Sequence, residues 1–174
     1  SADQEGVLYE AHDYETQASI VDFVILMTYE WGWAGGRPLA IAPIHRIREV
    51  LDYAVTVIPP HKLMMSIPLY GRDWNIPWIP GTLAKTVRIP EAIELAARYG
   101  ATINYDDMAQ APYFTYVDEQ GQEHEVWFED ARSLQAKYDL VKEYGLKGVS
   151  FWTLDMPFPQ NWALLQQFVV NKSP

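Results

Sequence analysis

Cysteine is absent from the 174 residues. That excludes disulfides, thiolate metal sites and cysteine nucleophiles together, while leaving the compartment open, since a secreted bacterial protein can also lack cysteine. Basic residues are scarce: 13 Lys and Arg stand against 23 Asp and Glu, for a formal charge of -10. With no Lys/Arg cluster the summed field repels phosphate backbones and anionic lipid, so nucleic acid and membrane surfaces are not expected as partners. No stretch approaches the roughly 20 apolar residues that span a bilayer. The polar start from Ser1 to Glu5 carries no signal-peptide pattern, so any export signal is expected outside this sequence. Low-complexity segments and internal repeats are absent as well.

Chemical motifs are also missing. There is no G-x-S-x-G, no Gly-rich phosphate loop and no H-E-x-x-H, which disfavours serine and zinc hydrolases. His12, His45, His61 and His124 have no metal-ligand spacing and are expected to be ordinary hydrogen-bonded surface side chains. No metal or other cofactor is expected. Asp106-Asp107 and Asp118-Glu119 fall in expected turns and should be solvated.

What the chain does have is aromatic surface. Seven Trp and 11 Tyr contribute to a 14% aromatic content within an otherwise ordinary 49% apolar composition. Such side chains either fill a core or present flat, partly polar platforms to a stacking ligand such as sugar. A chain of this length falls in the single-domain range.

Three apolar runs, Val21 to Tyr29, Leu63 to Tyr70 and Gly148 to Leu154, are nearly continuous rather than alternating, as strands buried on both faces of a parallel sheet require. Between the first two, Pro43 suits a first helical position, Ile44, Ile47, Leu51, Ala54 and Ile58 recur at helical spacing, and Pro59-Pro60 stops the pattern. Asp130 can cap another helix carrying Leu134, Tyr138, Val141 and Tyr144, with Gly145 as its stop. Gln160 to Val170 reads as a closing helix. From Arg72 to Glu129 the rhythm breaks into a Trp- and Pro-rich loop, a helix from Pro90 to Gly100 and two strands, Tyr113 to Val117 and Glu123 to Phe128. The turn Asp118 to Gly121 joins those strands. Pro68, inside a buried run, should mark a strand end or a bulge.

In α/β folds chemistry sits at the carboxyl ends of the strands. Here those ends carry Tyr29-Glu30-Trp31, Tyr70-Gly71-Arg72-Asp73 and Trp152 with Asp155. An aromatic plus a charged residue from each of three strands is the composition of a carbohydrate cleft. Each also has a plain alternative: Tyr29 as a core tyrosine, Trp152 as packing, Arg72 in a structural ion pair with Asp73, Glu30 or Asp155.

These residues fall in a recognisable order. Met27-Thr28-Tyr29-Glu30 resembles the M-x-Y-D signature of the sixth barrel strand of glycoside hydrolase family 18. Ile67 to Arg72 resembles its P-x-Y-G-R seventh strand, and Gly148 to Trp152 its eighth. Asp130, Ser133 and Lys137 are similar to the D-x-x-S-x-x-x-K stretch that closes the family's insertion subdomain. Thr28 to Trp31 and Trp127 to Arg132 look closest to the family's bacterial spore-cortex branch.

The resemblance implies an α/β fold, the C-terminal part of a (β/α)8 TIM barrel with its last three strands and helices. Residues 1–71 and 130–174 belong to that barrel, and 72–129 form a small α+β insertion. At about 31 residues per strand-helix unit of a barrel of about 250, three units plus the insertion fit the length. It also implies hydrolysis of N-acetylglucosamine-containing glycans, spore-cortex peptidoglycan or chitin-like, by a retaining mechanism in which the substrate's own acetamido oxygen attacks. Tyr29 would contact the acetamido group, Trp152 would form a stacking floor, and Glu30, Trp31, Tyr70, Arg72 and Asp155 would complete the substrate contacts. Glu30 departs from the family's aspartate. The D-x-x-D-x-D-x-E motif that carries the proton donor is not in the sequence, so the chain alone is expected to be inactive or nearly so. The implied setting is extracellular or at the spore or cell wall of a bacterium. The alternatives are a non-catalytic glycan-binding module and a self-associating unit, since three parallel strands leave exposed sheet edges.

Overall fold

The computed structural model describes residues 13–170; His12 lies outside them. Two sheets organise the chain. A parallel sheet has the order β1 (Val24–Leu26), β2 (Leu63–Pro68), β8 (Gly148–Trp152). An antiparallel sheet has the order β4 (Lys85–Arg88), β3 (Tyr70–Ile76), β7 (Glu123–Trp127), β6 (Ala111–Val117), β5 (Asn104–Asp106). The helices are α1 (Tyr14–Ile20), α2 (Ile44–Val57), α3 (Ile89–Arg98), α4 (Ala131–Glu143) and α5 (Pro159–Val170).

β2 is the strand that the doubly buried pattern describes: Leu63, Met65 and Ile67 are fully enclosed between two partners. Its neighbours differ from expectation. Regular pairing covers only Val24–Leu26 of the first run, and Phe23, Ile25 and Met27 are exposed. β8 is only half-buried. Both are edge strands among the described residues, so half of each ladder and one face lack cover. Pro68 is the last residue of β2, where a missing N–H costs least, and Leu69 N–H resumes bonding to the Trp152 carbonyl at 2.8 Å.

The helices follow their signals closely. Pro43 caps α2 from just outside it, and the helix buries Ile47, Leu51 and Ala54. The Asp130 carboxylate takes the N–H groups of Arg132 and Ser133, both at 2.9 Å, and so starts α4, which ends before Gly145 in left-handed backbone (φ 62°). α1 was not anticipated; Asp13 caps it through the Thr16 N–H (3.0 Å) and hydroxyl.

The segment expected as a loop after Arg72 is instead β3. Gly71 and Asp73 alternate with Tyr70, Arg72 and Trp74, a period of two that the Trp and Pro content had obscured. β4 and β5 are short additions of the same kind. The hairpin β6–β7 forms as expected, with Gly121 at φ 81° in its turn. Below this sheet, Phe114, Val126, Phe128 and Val87 join Leu134 and Tyr138 of α4 in the main core.

Candidate active site

A cavity of about 320 Å³ opens at the carboxyl ends of the parallel strands, lined by Met27, Tyr29, Glu30, Tyr70, Arg72, Thr86, Trp152, Thr153 and Met156. Five of the seven residues singled out from the sequence therefore meet. Trp31 and Asp155 do not line it. Asp155 is exposed and accepts from the Thr153 hydroxyl. Trp31 lines a second hollow with Trp127.

Glu30 is the pivot. Its Oε1 accepts from the Tyr70 hydroxyl and from Arg72 Nη2, the latter at 2.8 Å. Its Oε2 makes no hydrogen bond to a described residue. The backbone of Glu30 is left-handed (φ 72°), a conformation costing a non-glycine residue about 1 kcal/mol or more. The two bonds to Oε1 hold it there. Arg72 is fixed in turn: Nη1 donates to the Thr86 hydroxyl, the guanidinium lies 4.9 Å from the Tyr70 ring centre, and the side chain is 14% exposed. Its Nε is buried without a hydrogen-bond partner among the described residues.

Of the three ion-pair partners open to Arg72, geometry selects Glu30. Asp73 points to the opposite sheet face, where it accepts from the Tyr116 hydroxyl (2.8 Å) and bonds His124 Nδ1 (2.9 Å). His124 is thus not a surface side chain. It stacks on Tyr116 with ring centres 4.5 Å apart and also faces Asp118. Nor is Asp118 merely solvated: the Gln122 N–H, then the Gln120 N–H and His124, hold its carboxyl below the usual range. Asp106 accepts the Ala109 N–H (2.7 Å), and His45 bonds the Met108 carbonyl, whereas His61 is exposed.

Burial raises the Tyr29 phenol above its ordinary value; the Ser66 hydroxyl opposes this and the Glu30 carboxylate adds to it. Burial, then the bond to Glu30, raises Tyr70 further. Both phenols therefore keep their protons at neutral pH and serve as hydrogen-bond donors. Trp152 stands at the rim with 56% of its surface exposed, and the peptide bond after it is cis. An indole so placed is free to stack on a ligand. The arrangement offers hydroxyl and guanidinium donors, one carboxylate acceptor and an aromatic wall. Among the described residues no group of three His, Asp or Glu could hold a metal ion.

Thr86, Thr153, Met27 and Met156 also line the cavity without having been singled out. Met27 stands inside a motif already noted. Thr86 has no local signal, because only its register opposite Arg72 brings it there.

The loop beyond Glu30 is held by Trp31 N–H to Ile41 O and Gly32 N–H to Ala40 O, each 3.1 Å. A Cβ on Gly32 would collide with the Leu39 carbonyl oxygen and come within 2.9 Å of its carbon. Gly32→Ala is expected to break both bonds and lower stability by about 2–4 kcal/mol, a backbone clash that side-chain motion cannot relieve. Urea denaturation checks this, and a loss below about 0.5 kcal/mol contradicts it.

Residues 1–156 match the family described as Glycosyl hydrolases family 18. Over 174 aligned residues the chain is 51% identical to the cortical fragment-lytic enzyme of Bacillus anthracis, covering 99% of this chain and 40% of that protein. It is 41% identical over 162 residues to the putative sporulation-specific glycosylase YdhD of Bacillus subtilis, covering 92% and 39%. Among solved structures it is similar to the spore cortex-lytic enzyme SleL of Bacillus cereus, with a TM-score of 0.94, 53% identity and coverage of 97% and 39%. A chitinase of Chromobacterium violaceum matches with a TM-score of 0.79, 30% identity and coverage of 92% and 52%. The chain spans about two-fifths of the length of these curated relatives.

Proposed function

The chain belongs to family 18 of the glycosyl hydrolases, and on that premise we propose that it is the C-terminal part of a (β/α)8 barrel acting on N-acetylglucosamine-containing glycans, with spore-cortex peptidoglycan as the favoured substrate. The observation that carries this reading is the convergence of Tyr29, Glu30, Tyr70, Arg72 and an exposed Trp152 on one hollow at the carboxyl ends of parallel strands. β1, β2 and β8 are the last three barrel strands, and the antiparallel sheet is the insertion. The names of the relatives support a spore or cell-wall setting in a bacterium.

In this reading Trp152 stacks against the sugar before the scissile bond. The Tyr29 hydroxyl donates to the acetamido oxygen and aligns it on the anomeric carbon, in a retaining, substrate-assisted reaction. Arg72 and Tyr70 fix Glu30, whose free Oε2 accepts a sugar hydroxyl. The acid that protonates the leaving oxygen is contributed by sequence other than these 174 residues, and the chain alone binds without cleaving. That absence also favours a second reading, a glycan-binding unit without catalysis.

Trp152→Ala is expected to weaken N-acetylglucosamine dimer binding about tenfold, the value of one stacking platform. Tryptophan fluorescence titration measures it, and unchanged affinity contradicts the assignment. The edges of β1 and β8, unpaired among the described residues, with Ile25, Met27 and Leu154 exposed, favour self-association. Light scattering should find dimers or larger species, and a stable monomer at every concentration tested would exclude it.

A further inference from the structure

Tyr29 stands beyond the point where regular pairing stops: β1 runs beside β2 as far as Leu26 opposite Met65. What holds the residues that follow is a buried hydroxyl. Thr28 Oγ1 donates to the Ser66 carbonyl at 2.7 Å, with Thr28 1% and Ser66 4% exposed. We propose that Thr28 and Ser66 are positioning residues, which aim the Tyr29 phenol into the first hollow and so set its selectivity for N-acetylated over unacetylated sugar; this rests on the glycan reading of that hollow.

The backbone is leaving the sheet at this point. The Thr28 N–H turns back to the Leu26 carbonyl at 3.0 Å, and the Trp31 N–H is taken up by Ile41 O. Between those two bonds the Thr28 hydroxyl stands in for the next rung of the ladder and ties the strand end to β2. Along β2, Leu63, Met65 and Ile67 pack into the core, so Ser66 alternates onto the other face. There its hydroxyl meets the Tyr29 phenol, itself part of the hollow's lining.

Donors and acceptors then fall into one order. A hydroxyl that opposes the rise of a phenol does so by donating to the phenol oxygen, and Ser66 acts on Tyr29 in that sense. With its oxygen accepting from Ser66, Tyr29 keeps its own proton to give. The neighbouring Glu30 takes its bonds from Tyr70 and Arg72 instead. Hydrogen bonds in such a chain polarise one another, so the Ser66 contact strengthens Tyr29 as a donor. An acetamido oxygen projects further from the sugar ring than a hydroxyl and accepts more strongly, so it gains most from a phenol fixed in this way. Were Thr28 and Ser66 only satisfied core hydroxyls, their loss would lower stability and leave sugar selectivity untouched.

Calorimetric titration with N-acetylglucosamine dimer and with cellobiose, which carries hydroxyls in place of the acetamido groups, tests this. The unsubstituted chain is expected to prefer the acetylated dimer about tenfold, the worth of roughly one hydrogen bond. Ser66→Ala and Thr28→Val should each cut that preference to about threefold or less, with cellobiose affinity changed less than about twofold, and Thr28→Ser should restore it. Adding Ser66→Ala to Tyr29→Phe should change the preference no further, because both act through one phenol. A readout without ligand is NMR titration of the tyrosines, in which the Tyr29 phenol should titrate higher in Ser66→Ala than in the unsubstituted chain. No preference in the unsubstituted chain, a preference that survives Ser66→Ala and Thr28→Val, an additive loss on top of Tyr29→Phe, or an unmoved Tyr29 titration each overturns the positioning role and leaves the glycan reading intact. Failure of the unsubstituted chain to bind either sugar overturns the glycan reading itself and this inference with it.

Discussion

Replacing Lys137 with Met is expected to destabilise the chain by about 3–5 kcal/mol, the cost of leaving a buried charge without its partner. Lys137 Nζ lies 2.8 Å from Glu129 Oε2, with the two side chains 0% and 1% exposed. The Ser133 hydroxyl adds a second bond to Oε2 at 2.6 Å, while Oε1 is buried without a partner among the described residues. Burial raises the Glu129 carboxyl, and Lys137 followed by Ser133 opposes that rise. In Lys137→Met the chief opposing charge is gone, so the folded-state carboxyl moves higher still. A group whose folded value is raised contributes stability below its unfolded value, near 4.3, and loses it as pH climbs through the folded value. The variant should therefore regain stability as the pH is lowered from the raised folded value, with the recovery complete near the unfolded value of about 4.3.

The double variant Glu129→Leu with Lys137→Met is expected to recover most of the loss, because Ser133 Oγ keeps the Asp130 carbonyl at 3.0 Å as acceptor. Urea denaturation of the three proteins decides the matter, and a single-variant loss under about 1 kcal/mol contradicts it. The pair matters beyond stability, since it ties the end of β7, and with it Trp127, to α4 beside the main core.

Legibility differed by kind of element. Helices α2 and α4 were readable because each carries its own stop and start: Pro59-Pro60 after the first, Asp130 and Gly145 around the second. The hairpin at Asp118 to Gly121 was readable for the same local reason. β3 was not, because Trp74 and Pro77 looked like loop composition while the deciding fact, pairing with Trp127 and Thr86, is long-range. The span of β1 was overestimated because an apolar run does not say whether a neighbouring strand pairs with all of it.

The first hollow was largely visible, since Tyr29, Glu30, Tyr70, Arg72 and Trp152 stand at strand ends within recognisable motifs. Asp155 was grouped with them by proximity in sequence, but the chain turns after Thr153 and leaves it outside. His124 and Asp73, 51 residues apart, offered no signal of their contact. The second hollow had only Trp31 as a signal: its other walls come from the loop after β1, the first turn of α2, the end of β5 with the loop after it, and β7, which only the fold brings together.

The largest effect concerns chemistry. A general acid contributes about 10² to 10⁴ in rate, and no residue of the first hollow is placed to act as one: Glu30 is held as a carboxylate acceptor by Tyr70 and Arg72, and Tyr29 and Tyr70 are phenols shifted away from neutrality. Binding and cleavage should therefore separate in this chain. Native mass spectrometry of the chain incubated with N-acetylglucosamine hexamer tests that directly. The account predicts a complex with intact hexamer and no shorter products. Release of dimer or tetramer that Tyr29→Phe suppresses would contradict the incomplete site, and the absence of any complex would contradict the glycan reading.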